Sequence, residues 1–378
     1  MKAGLVLTAA AVLSIGAPES EVPVVKVGHV GHDHQIALFI AALEGPVFQK
    51  EYGICLKEKK AREVYDLVDG GKTLAELHIV KVGGGSEMPA AMERGEIQVG
   101  FGGVASIASF RDRGDPFKII FPLQTDGDML VVRPGIPADG WDSFVDFVKR
   151  SGKPVKIGYK APVAVAKIIL MRALREAGIP CAAGRDGAGP KGGTVQMVNL
   201  QGENNMVPSL ASGAVDGFVM NQPQVSLAKV KGVGKIVCDL ASLPPKGIWK
   251  DHPCCCVAAT ETMIQDHRGV LVALVKLMIL STERINADKK RAATLTARWT
   301  KLPLEAEQDS VPSIAYLARF TESYLKGMET WASIMDELGQ FKGELRGKKG
   351  GEFIALTCDL SLVKEAEESL SSAGLLKK

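Results

Sequence analysis

The densest chemistry in this chain lies in two short runs. Gly28-His29-Val30-Gly31-His32-Asp33-His34 carries three imidazoles, and His252-Pro253-Cys254-Cys255-Cys256 carries three adjacent thiols. His32 and His34 flank a carboxylate, a set compatible with zinc or another transition metal, which favours nitrogen and sulfur donors. The competing reading is that one His hydrogen-bonds a ligand while the others are exposed. The spacing favours that reading, because it matches no established metal motif. If the Cys run is extended, Cys254 and Cys256 share one face and Cys255 takes the other, so at most two thiols line a site. Those two could hold a soft metal or meet a thiol-reactive ligand, whereas packing at a buried strand needs nothing beyond their small apolar bulk and is favoured for that reason. The sharpest expectation is that both runs meet in one cleft, with His32, His34, Cys254 and Cys256 as candidate metal ligands.

Other reactive patterns are weak. The chain has no Gly-x-Ser-x-Gly elbow and no P-loop, and Gly83-Gly84-Gly85 before Ser86 does not follow the dinucleotide fingerprint. Asp126 and Asp128 flank Gly127 and could pair, but a solvated turn explains them more simply.

The elements that must position these groups repeat. Val25-Lys26-Val27-Gly28 is followed by Met88-Pro89 and then Gly95-Glu96-Ile97-Gln98-Val99-Gly100. Val155-Lys156-Ile157-Gly158 is followed likewise by Val207-Pro208 and Gly213-Ala214-Val215-Asp216-Gly217. Each half opens with a strand, carries a helix that starts near the Pro and stops at a Gly, and enters a second strand. Two α/β units imply two lobes, each a mixed sheet flanked by helices, with a ligand cleft between them. The expected segments are a leader at 1–17, a first lobe at 22–130, a second at 131–250, a helical return to the first at 251–342, and a C-terminal extension at 343–378.

Within the first lobe, Asp33 is placed to cap an all-round apolar helix, Ile36 to Leu43, which must be deeply packed. Lys57 to Lys72 reads as a polar loop or hairpin. Gly184 to Gly193 reads as irregular, Ile314 to Leu338 as helical, and Glu352 to Leu376 as a strand or turn followed by a helix. Helices that start beyond strand ends aim unpaired N–H groups into the cleft, at Asp33, Ser86, Gly103, Ala161, Glu203 and Gln222.

Composition excludes several classes of function. A net charge of +3, from 46 basic and 43 acidic residues, and an aromatic content of 6% leave neither the basic field nor the stacking surface of a nucleic-acid binder. Lys2, the apolar run Leu5 to Ile15 and the small residues at Ser14 to Ala17 resemble an export signal. No other stretch reaches the ~18 apolar residues of a membrane span.

Together, the segment Val25 to Gly45, the run Met92-Glu93-Arg94-Gly95-Glu96-Ile97-Gln98-Val99-Gly100 and the run Ala211-Ser212-Gly213-Ala214-Val215-Asp216-Gly217 resemble the solute-binding proteins of ABC importers in the nitrate/sulfonate/taurine and thiamine-precursor group. The resemblance spans roughly Val24 to Leu338. It implies a type II periplasmic-binding fold, an extracytoplasmic location, a small organic or anionic solute caught by hinge closure, and permease subunits as partners of a monomer. The Gly-Ser or Gly-Thr common at the start of the second lobe's first helix is here Ala161-Pro162-Val163. The thiamine-pyrimidine synthase branch carries a similar Cys run, but Gly102 and Ser106 stand where its cofactor lysine and histidine would fall, so no cofactor and no enzymatic activity are expected. A metal- or thiol-dependent enzyme on the same scaffold is the alternative. The ligand-binding residues expected at strand ends are His32, His34, Ser86, Glu87, Gly102, Gly103, Gln124, Thr125, Asn204, Asn205, Asn221 and Gln222.

Overall fold

The computed structural model describes residues 22–84, 87–183 and 192–376. Fifteen strands are described: β1 (Val24–His29), β2 (Ile54–Lys60), β3 (Val64–Asp69), β4 (Lys72–Lys81), β5 (Val99–Gly103), β6 (Phe117–Phe121), β7 (Gln124–Thr125), β8 (Asp128–Val132), β9 (Val155–Tyr159), β10 (Cys181–Ala183), β11 (Val195–Asn199), β12 (Gly217–Asn221), β13 (Lys235–Asp239), β14 (Cys255–Thr260) and β15 (Ala315–Tyr316). The first lobe is built on the sheet β2-β3-β4-β1-β5-β14-β6 and the second on β10-β11-β9-β12-β8-β13.

The two sheets have the same plan. β4, β1 and β5 run parallel, and β14 and β6 then pair antiparallel. In the second lobe β11, β9 and β12 run parallel, followed by antiparallel β8 and β13. In each sheet the first antiparallel strand is a crossing strand. β8 carries the chain into the second lobe, and β14 brings it back. Duplication also explains a matched pair of glycines. An added Cβ at Gly28 would lie 2.4 Å from Ile97 Cδ1, and one at Gly158 would lie 2.6 Å from Leu200 Cδ1. At both positions a neighbouring apolar side chain lies directly against the strand, and a bare backbone gives it room.

The helix Ile36–Leu43 is buried at every position except its last, as its all-round apolar character requires, and packs against the helices Arg268–Ala287 and Lys289–Thr300. The polar stretch after Lys57 forms the hairpin β2–β3, which β4 extends into a meander. Three local expectations are corrected. Asp33 does not cap the helix, because a short 3-10 turn, Asp33–Gln35, intervenes and its carboxylate is buried, accepting a hydrogen bond from Ser310 Oγ. The stretch from Ile314 opens with β15, paired to β7, and turns helical only at Glu322, where Thr321 Oγ1 caps the Tyr324 N–H. The C-terminal segment forms two helices, Gly350–Thr357 and Ser361–Ser372, whose buried apolar residues repeat at helical spacing. The leader at 1–17 and residues 184–191 of the glycine-rich stretch lie outside the described residues. Among the described residues no helix is long and apolar enough to cross a membrane.

Candidate functional site

The turn leaving β1 is held by one side chain. Gln35 Nε2 donates to Phe101 O at 2.6 Å, and its Oε1 accepts from Val30 N at 2.9 Å. This lock fixes His32 and His34 against the ends of β5 and β14. Both are buried, with their rings edge to face at 5.3 Å. The Gln124 amide bonds His34 Nδ1, while His34 Nε2 and His32 Nδ1 are buried without a hydrogen-bond partner.

The thiol run does not alternate as expected. β14 begins only at Cys255, and Cys254 lies in the irregular approach to it, so the two sulfurs come to 4.0 Å of each other on one side. Cys255 Sγ is 3.9 Å from His32 Nε2. Cys256 takes the opposite face of the sheet, near Tyr324 and Cys358, and Cys255 therefore replaces it beside the histidines. The hydrogen bond from Cys254 pulls the Cys255 thiol well below its ordinary pKa, and His32 and His34 add to the effect. The same contact, together with burial, raises Cys254, so the pair favours one thiolate, on Cys255.

Asp126 and Asp128 form no solvated turn. Asp128 is buried on β8, and His252 Nε2 meets its Oδ2 at 3.2 Å; His252 Nδ1 lies 3.1 Å from Asp126 Oδ1 and 2.8 Å from Trp249 O. Burial opposes a charged His252, but the two carboxylates outweigh it and raise its pKa to about 10. Burial likewise opposes the Asp128 charge, yet the His252 hydrogen bond, with His34 and Lys160 nearby, holds it below the usual carboxylate range.

Two cavities occupy the space between the lobes. One of about 20 Å³ is lined by His32, Gly103, Ser106, Cys254 and Cys255 of the first lobe and by Lys160 and Ala161 of the second. The other, of about 200 Å³, lies between Gly83, Gly84 and Glu87 on one side and Lys160, Gln201 and Glu203 on the other. Glu203 is buried, and its Oε2 lacks a partner. Larger surface hollows of about 790 and 700 Å³ lie away from this region. In the larger of these the charged groups are spent on one another, as in the Arg291–Glu44 ion pair.

The expected ligand residues thus separate. Glu87 and Gly103 line the cavities, as do the histidine His32 and the thiol Cys254. Asn221 supports the site from below, its Oδ1 accepting from Lys160 Nζ at 2.5 Å. Gln124 acts through His34. Thr125 is buried in a bridge to Pro253, and Gly102 is buried within β5, paired with Cys256 of β14. Gln222 turns away to Ser313 Oγ and Ser226 N. Asn204 and Asn205 are exposed and line neither cavity. Ser86 lies outside the described residues. Lys160 was not expected, because a lone Lys after a strand carries no motif. Its only signal was the strand end at Tyr159, one residue before it.

A family model described as the NMT1-like family matches residues 18–300. An uncharacterized protein of Methanocaldococcus jannaschii is 36% identical over 108 residues, 28% of this chain and 74% of that protein. Among solved structures, the zinc-bound ligand-binding component of an ABC-type import system from Staphylococcus aureus aligns with a TM-score of 0.69 at 14% identity, over 91% of this chain and 99% of that one. The periplasmic nitrate-binding protein of Synechocystis aligns at 0.67 and 14%, over 95% and 92%. The periplasmic aliphatic sulphonate binding protein of Escherichia coli aligns at 0.61 and 15%, over 90% and 99%. The fold is therefore the two-lobed type II periplasmic-binding fold.

Proposed function

The chain belongs to the NMT1-like family, and we propose that it is an extracytoplasmic binding protein that captures a small organic or anionic solute between its lobes and delivers it to an ABC importer. The observation that carries this reading is the 200 Å³ cavity bounded by both lobes, with Lys160 and the partnerless Glu203 Oε2 on its second-lobe wall. A group that bridges Lys160 and the Gly83-Gly84 backbone while donating to Glu203 or Glu87 contacts both lobes only when they are together. That differential affinity shifts the population toward closure. The wall offers a cation and carboxylates together, which suits an organic solute with both accepting and donating groups better than a bare oxyanion. The nitrate- and sulphonate-binding neighbours share this fold and support the class of function, with the chain acting as a monomer beside permease subunits.

Native mass spectrometry of protein purified from its own host without refolding tests the proposal. A stoichiometric organic mass that is lost in Lys160→Met is the expected result. Repeated purification with no small molecule, together with no thermal shift across a panel of organic acids, amino acids and inorganic anions, would overturn it.

A further inference from the structure

We propose that His32, His34, Cys254 and Cys255 form a binding site for one zinc-type divalent transition metal ion in the first-lobe wall of the cleft. Two triads overlap there. One ligand atom each from His32, His34 and Cys255 lie within 4.8 Å of one another, as do those from His34, Asp128 and Cys254. His34 belongs to both, so the sets describe one locus rather than two.

The spacings are close to those a metal would impose. For tetrahedral zinc, with Zn–S near 2.3 Å and Zn–N near 2.05 Å, sulfur–sulfur and sulfur–nitrogen separations come to about 3.8 and about 3.6 Å. The structure has 4.0 Å between the two sulfurs and 3.9 Å between Cys255 Sγ and His32 Nε2. A contraction of a few tenths of an ångström, within reach of side-chain torsions, completes the fit. The adjoining chamber of about 20 Å³ admits an ion or a water and excludes an organic solute.

Polar accounting agrees. Buried ring nitrogens normally have partners, yet His34 Nε2 has none. The Gln124 amide nitrogen faces the other nitrogen of His34, and a half-turn of that amide presents its partnerless Oε1 to Nδ1–H instead, the orienting bond that ligating imidazoles characteristically make. Two thiolates and two neutral imidazoles balance a divalent ion to zero net charge, which suits a buried site. Asp128 is engaged by His252 and stays at the margin. Sulfur and imidazole donors select a zinc-like ion over Mg²⁺ or Ca²⁺. This inference does not depend on the solute reading, because the donors all come from the first lobe.

Reduced, metal-free full-length protein titrated with Co²⁺ tests it. The expected result is one equivalent bound, with tetrahedral ligand-field absorption and a thiolate charge-transfer band, both displaced by Zn²⁺. Cys255→Ser and His34→Ala should each weaken binding by about a hundredfold or more, while Cys256→Ser, on the opposite face, should leave affinity and spectrum unchanged. Circular dichroism of each variant controls for folding. If His34→Ala is unfolded, Cys255→Ser decides alone, since it preserves volume. The proposal is overturned if the wild type binds no Co²⁺, if it binds without the thiolate band, or if folded Cys256→Ser loses as much as Cys255→Ser.

Discussion

Lys160 Nζ donates to Asn221 Oδ1 at 2.5 Å, tying the exit of β9 to the exit of β12. The Asn221 amide nitrogen is committed as well, donating to Gln222 O at 2.8 Å, so the carbonyl that receives the ammonium is fixed in place. Lys160 is half-buried and lines both interlobe cavities. Lys160→Met should raise the Kd of the co-purified solute by about ten- to a hundredfold, the range for losing a charged hydrogen bond. Asn221→Ala should raise it by about tenfold, by letting the ammonium swing away, with little change in melting temperature because the freed ammonium can turn to water. Calorimetric titration checks both, and unchanged affinity in both variants removes the pair from the site.

Much of this arrangement is legible in the sequence, and the reasons are physical. The repeated strand, Pro-started helix and Gly stop reported the duplication because each feature obeys local rules, and the all-apolar Ile36–Leu43 announced a buried helix. His32 and His34 were visible because they sit at a strand end. What failed depended on a single residue of register or on long-range contact. Placing Cys255 rather than Cys256 in the cleft turns on where β14 begins, and a one-residue difference exchanges faces. Asp128 looked like part of a polar turn because its partner, His252, lies 124 residues away. Asn204 and Asn205 stand beyond a strand end, but the turn at Glu203–Asn205 buries Glu203 and leaves both asparagines exposed, the Asn205 amide donating to Leu200 O at 2.8 Å.

Arg172 Nη1 reaches Glu337 Oε2 at 2.6 Å, linking the second-lobe helix Val165–Glu176 to the helix Glu322–Glu337, which follows the chain's return to the first lobe. The Glu337 side chain is 54% exposed, so the pair is worth only about 0.5 kcal/mol. It nevertheless forms only at this lobe separation. Glu337→Gln should therefore raise the solute Kd by about two- to threefold at low ionic strength, mainly through faster release. The difference should vanish in high salt. Stopped-flow dissociation rates at two salt concentrations measure it, and a salt-independent effect would argue against a clamp.

His29 is buried beside Phe39 and Trp299, with ring centroids 5.3 and 6.2 Å away. Burial first, then Lys81 and His32, lower its pKa from 6.5 to about 4. Between those values the unfolded chain binds the proton and the folded one does not. The contribution of His29 is therefore full above pH 6.5 and falls as the pH drops toward 4, by about 3 kcal/mol in total. His29→Phe keeps a ring among the aromatics and removes the partnerless Nδ1. It should flatten this acid limb while leaving stability at pH 8 within about 1 kcal/mol of wild type. Urea melts at pH 5 and 8 provide the comparison, and an identical pH slope in the variant would exclude His29 as the source.

Asp112 ends the helix Val104–Asp112, whose other end, Gly103, lines the cleft. Its carboxylate accepts the backbone N–H groups of Lys342 at 2.8 Å, Gly343 at 2.9 Å and Leu345 at 2.9 Å, and its carbonyl accepts Glu344 N at 2.9 Å. One residue thus fastens the start of the C-terminal segment to the helix behind the site. The approach is so close that a Cβ on Gly343 would lie 1.9 Å from Asp112 O. That oxygen is backbone and cannot rotate aside, so Gly343→Ala must lift the loop and lose several of these bonds together. We expect a destabilisation of about 3 kcal/mol, with Asp112→Ala close behind because it strands the same donors. Hydrogen exchange should show early loss of protection from 340 to 376 in both variants, while β9 and β12 in the second lobe stay protected. If protection instead falls uniformly, the C-terminal helices unfold together with the rest of the chain, and Asp112 is one contact among many rather than their anchor.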